Sequence, residues 1–90
     1  MGLRTWWLES RLRRTDVKLR VLHAQQKRLR EKEAILATEK RRGLPSTEAK
    51  AREDKIRAER ERLAAAIARV HAEQDDLKAA LRDAGVAVAH

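Results

Sequence analysis

Two long stretches without glycine or proline constrain this chain more than any other feature. One runs from Leu3 to Arg42 and the other from Ser46 to Ala84, with Gly43, Leu44 and Pro45 between them. Both are rich in Ala, Leu, Glu, Lys and Arg, which lose little on entering a helix. Gly43 suits the left-handed position that closes a helix, and Pro45 lacks the N–H needed to continue one. Arg41 and Arg42 complement the negative pole of the first helix. Ser46 or Thr47 can cap the second, with Glu48 in its first turn. The expected fold is all-α: a single antiparallel helical hairpin, a two-helix coiled coil with helices over about 3–42 and 47–84 and a turn at 43–46. Residues 1–10 read as an amphipathic anchor segment and 85–90 as a flexible or tail-packing end.

Composition says what such a hairpin can bury. Phe and Tyr are absent, the two Trp are adjacent, and most apolar residues are Ala, Leu or Val. A chain of this kind lacks the bulk for a thick core, so its apolar surface must close along a narrow seam.

The seam can be read from a seven-residue repeat. In the first helix Leu8, Thr15, Leu22, Leu29 and Leu36 occupy d; Leu12, Leu19, Gln26, Glu33 and Lys40 occupy a. In the second, d is Ala49, Ile56, Leu63, Val70, Leu77 and Ala84; a is Glu53, Arg60, Ile67, Gln74, Leu81 and Val88. A reversal centred near Leu44–Pro45 makes the numbers of facing residues add to about 89, so that each a meets a d. Leu8 then meets Leu81, Leu12 meets Leu77, Thr15 meets Gln74, Leu19 meets Val70, Leu22 meets Ile67 and Glu33 meets Ile56. The flanks check this register. Lys18–Glu73, Lys32–Glu59, Glu39–Arg52, Glu9–Lys78 and Asp16–His71 attract, and only Arg30–Arg57 repel. Towards the turn the a positions are polar, with Glu33 able to reach Arg60. Fraying, and with it amide exchange, should therefore begin at the turn.

The net charge of +8 is unevenly placed. Residues 1–45 hold 13 Lys and Arg against 5 Asp and Glu, whereas residues 46–90 hold 9 against 9. On the first helix Arg13, Arg14, Arg20, Lys27, Arg28, Arg41 and Arg42 point away from the seam with no built-in partner. They are either a solvated face or a surface for anions. No aromatic is interleaved with them, so a nucleic acid would be held through phosphates, in a salt-sensitive way, and not through its bases.

Two further outward features invite partners. Trp6 and Trp7 leave the seam beside Leu3, Arg4 and Arg11, a patch suited to a partner protein or a membrane interface unless the C-terminal tail covers it. Val17, Val21 and Ile35 on the first helix, and Ala58, Ala65, Ala72 and Ala79 on the second, form stripes along which another helix could pack.

Catalytic chemistry finds no foothold. There is no Cys, no Gly-rich phosphate loop and no nucleophile elbow. His23 and His71 lack an evident third ligand, so no metal or other cofactor is expected. The acidic residues are scattered over helical faces, and a two-helix seam encloses no substrate-sized cavity. No apolar run approaches the ~18 residues of a membrane span, and the opening segment lacks a secretory hydrophobic region, which favours an intracellular location. The leading expectation is a non-enzymatic structural or adaptor subunit. It would dock through the Trp pair and turn a basic face to nucleic acid or an acidic protein. The alternatives are a peripheral membrane module and a self-assembling helical bundle.

Overall fold

A computed structural model describes residues 2–85. Helix α1 spans Leu3–Arg41 and α2 spans Ser46–Asp83, joined by a short turn into an antiparallel hairpin. The boundaries fall within one residue of those expected from Gly43 and Pro45.

The turn is closed by backbone hydrogen bonds. The Leu44 N–H donates to the Glu39 carbonyl at 3.0 Å, and the Gly43 N–H donates to the Lys40 carbonyl at 3.2 Å. This is the Schellman arrangement, in which two otherwise orphaned helix-end carbonyls are satisfied. It requires a left-handed residue, and Gly43 has φ of 102°. A Cβ added there would meet nothing within 4 Å, so a side chain costs conformational energy and causes no collision. Gly43→Ala should destabilise the hairpin by about 1 kcal/mol in urea unfolding followed by helical circular dichroism. An unchanged midpoint would mean the turn can close without the left-handed conformation.

One local expectation needs correction. The Pro45 carbonyl accepts from the Ala49 N–H at 2.9 Å, so α2 starts one residue earlier than Ser46 or Thr47 capping would require. No capping bond from either hydroxyl forms among the described residues. Pro45, with its preset φ and no donor to leave unsatisfied, takes the cap position itself, and Ser46 is the first helical residue.

The described residues gather into two compact units, 2–21 with 67–85, and 22–66 around the turn. In the first unit Leu8, Leu12, Leu77 and Leu81 form one buried cluster, with Ala80 packed against it. This is the set that the register arithmetic brings together. Val70 is buried; Leu19 and Ile67 are only partly covered.

The polar seam layer of this unit is buried and satisfied, but not by its own two members. Thr15 is fully buried and donates its hydroxyl to the Leu12 carbonyl at 2.5 Å. Gln74, also buried, donates its amide to the Asp16 carboxylate at 2.9 Å. That bond replaces the expected Asp16–His71 pair and leaves His71 exposed. A buried amide without an acceptor costs more than an exposed imidazole losing a weak ion pair.

In the turn unit Leu29, Leu36, Ala49 and Leu63 are buried, while Leu22 and Ile56 are partly covered. Lys40 reaches Glu53 at 2.5 Å, Arg60 pairs with Glu33, and Arg52 pairs with Glu39. Two expected bridges, Lys32–Glu59 and Glu9–Lys78, are not made among the described residues. Glu59 turns along its own helix to Arg62 instead. The incomplete burial of Leu19, Leu22, Ile56 and Ile67 has a simple cause. A pair of helices has no third layer, so a seam side chain stays open on one side unless a longer neighbour lies over it.

Candidate docking and anion-binding surfaces

Seven cations of the described residues enter ion pairs: Arg11, Lys18, Lys40, Arg52, Arg57, Arg60 and Arg62. None belongs to the outward set expected from sequence. Arg13, Arg14 and Arg20 in the first unit, and Lys27, Arg28, Arg41 and Arg42 in the turn unit, are all exposed, with no carboxylate in bonding range. The two helices differ in how they handle charge. Helix α2 pairs its own residues, Arg52 with Glu48, Arg57 with Asp54 and Arg62 with Glu59, at spacings of three or four. Helix α1 holds no such internal pair among its described residues, so its excess positive charge stays open to solvent.

Near the start of α1, Leu3 is 86% exposed, Trp6 62% and Trp7 51%. The Arg11 guanidinium lies 5.1 Å from the centre of the Trp7 ring and also bonds Glu73 at 3.0 Å. Glu73 accepts Lys18 as well, at 3.6 Å. Trp7 is thus held by a cation that α2 anchors in turn, whereas Trp6 is free of such contact. Sequence reasoning placed Arg11 beside the aromatic patch but missed this link. The four-residue spacing from Trp7 to Arg11 was its signal. Of the tail 85–90, expected either to be flexible or to pack over the Trp pair, residues 86–90 lie outside the described residues.

Hydrogen bonds hold three carboxylates of these networks below the ordinary value of 4.5: Lys40 acts on Glu53, Arg62 on Glu59 and Arg11 on Glu73. Groups with a lowered folded pKa stabilise the fold above 4.5 and lose that contribution as pH falls through their lower folded values. The thermal midpoint should therefore stay level from neutral pH to about 5 and decline below it, less steeply in high salt, which screens exposed pairs. A midpoint that rose on acidification would contradict these assignments.

Other candidates are dispersed. Val17, Val21 and Ile35 are exposed, as are Ala58, Ala65 and Ala72, while Ala79 is partly covered. The His23 Nδ1 lies 3.2 Å from the Gln26 Oε1. Among the described residues no cluster of His, Asp and Glu is placed to hold a metal ion, and no helix is long and apolar enough to cross a membrane.

One feature of the turn unit escaped the sequence reading. A groove of about 450 Å³ opens on one flank, floored by Leu29, Leu36 and Ile56 and walled by Ile35, Lys32 and Lys55. Arg52 and Glu59 complete its rim. The chain matches no protein-family model, no curated protein and no solved structure.

Proposed function

We propose that this hairpin is a non-enzymatic adaptor, docking on a partner through Leu3, Trp6 and Trp7 and presenting the basic face of α1 to an anionic surface. The carrying observation is the division of charge between the helices. Residues 46–90 sum to zero charge and α2 makes three ion pairs along its own length, while Arg13, Arg14, Arg20, Lys27, Arg28, Arg41 and Arg42 remain exposed and unpaired. A surface selected only for solubility has no need to gather the whole positive surplus on one helix, whereas a surface that follows phosphates or carboxylates does. The exposed Trp pair supplies a rigid apolar anchor of the type enriched at protein interfaces.

Sedimentation with and without a mixed-sequence nucleic-acid duplex tests this reading. Binding that weakens steeply with salt supports a phosphate ligand. Binding only to anionic vesicles, with a blue shift of Trp fluorescence that Trp6→Ser and Trp7→Ser abolish, would replace it with a membrane-surface role. A mass above 10.4 kDa that survives high salt, with neither ligand bound, would leave self-assembly as the function.

A further inference from the structure

We infer that the groove in the turn unit is a docking site for a helix of a partner protein that carries apolar anchors flanked by carboxylates. The groove follows from how polarity divides across this part of the seam. All its a positions, Gln26, Glu33, Lys40, Glu53 and Arg60, are polar, and all its d positions, Leu22, Leu29, Leu36, Ala49, Ile56 and Leu63, are apolar. In an antiparallel pair the a columns of both helices border one flank and the d columns border the other. One flank is therefore laced by Glu33–Arg60 and Lys40–Glu53. The opposite flank shows the sides of Leu29, Leu36 and Ile56 in a wider opening, about 450 Å³ against about 310 and 320 Å³ on the laced flank, where the same residues lie behind charged ones.

That apolar flank would close if Lys32 bridged to Glu59. Glu59 instead bonds Arg62, and Lys32 is left without a carboxylate in range. Ile35, 58% exposed, stands at the lip, so a hydrophobic strip runs from floor to rim.

Charge selects the occupant. On the rim Arg52 is already bonded to Glu39 and Glu48, and Glu59 to Arg62. Lys32 and Lys55 are the rim charges that enter no ion pair, and both are cations, although Lys32 lies near enough to Glu59 to act on it through space. A helix laid in the groove would place leucine-like side chains against Leu29, Ile35, Leu36 and Ile56 and would meet Lys32 and Lys55 with Glu or Asp. This site is separate from the outward arginines of α1 and does not depend on their role.

The test uses two fluorescein-labelled amphipathic peptides with identical leucines at helical spacing, one flanked by Glu and the other by Lys. Fluorescence anisotropy with the full chain should favour the Glu peptide by at least about ten-fold. Ile35→Asp should weaken that binding about ten-fold, and Lys32→Glu with Lys55→Glu should reverse the preference between peptides. Because Ile35 is exposed, helical circular dichroism should stay unchanged in its variant, and Ile35→Ser serves as a milder second version. Equal binding of both peptides, or indifference to Ile35, overturns the inference. So does loss of binding when Arg13, Arg14, Arg20 and Arg28 become Glu, which would locate the peptide on the basic face. Self-association dispersed by Ile35→Asp would make a second copy of this chain the occupant and would equally overturn it.

Discussion

Truncating Leu81 to Ala should cost about 2–5 kcal/mol of unfolding free energy, the largest single-residue effect expected in this chain. Leu81 is 1% exposed and sits in the cluster with Leu8, Leu12 and Leu77. Removing its isobutyl group loses its transfer free energy and leaves a void between two helices. Neighbouring helical turns fix the spacing there, so collapse into the void is limited. A small domain holds only a few kcal/mol in reserve, so much of the population should unfold at moderate temperature. Urea titration at a fixed protein concentration measures the loss. Leu3→Ala is the control, since Leu3 is 86% exposed and its truncation should change stability by under about 0.5 kcal/mol. Comparable losses at Leu3 and Leu81 would mean that the seam has been assigned to the wrong residues.

Reversing Arg13, Arg14, Arg20 and Arg28 to Glu should remove most of any affinity for a polyanion. Each phosphate neutralised contributes nearly one unit to the slope of log affinity against log salt. Four contacts alone therefore predict about a hundred-fold weakening between 50 and 200 mM salt. In the variant that slope should flatten by about four units, with affinity at low salt falling at least as far. Stability should change little, because all four side chains are exposed and none enters an ion pair. A variant that kept the original salt slope would show that the anion lies elsewhere. Cooperative unfolding of the variant in urea separates loss of binding from loss of fold.

Much of the molecule was legible in its residues. Gly43 and Pro45 located the turn because their backbone constraints act on the spot, whatever the rest of the chain does. The heptad brought Leu8, Leu12, Leu77 and Leu81 together because helical periodicity and one reversal leave a single alignment that buries them all. Lys18–Glu73 and Glu39–Arg52 followed from the same alignment.

The polar details were less legible. The alignment set Asp16 against His71 and Gln74 against Thr15, and the packed seam, which buries Gln74, gave Asp16 to Gln74 instead. Glu59 had Lys32 across the seam and Arg62 three residues along, and the local partner took it. These choices lie beyond pattern reading, because several long side chains reach the same carboxylate and their energies differ by only tenths of a kcal/mol.

Backbone punctuation and apolar spacing by themselves determined where this chain turns, which leucines meet, and that its surplus positive charge rides on one helix. Those are properties of local geometry and composition, and they survive any rearrangement of surface side chains. Tertiary structure alone decided which of several cations each shared carboxylate took and whether the d-side flank near the turn was bridged by Lys32 and Glu59 or left open as a groove. The reason is physical: pairing depends on competition among flexible groups that only the folded backbone brings within reach of one another.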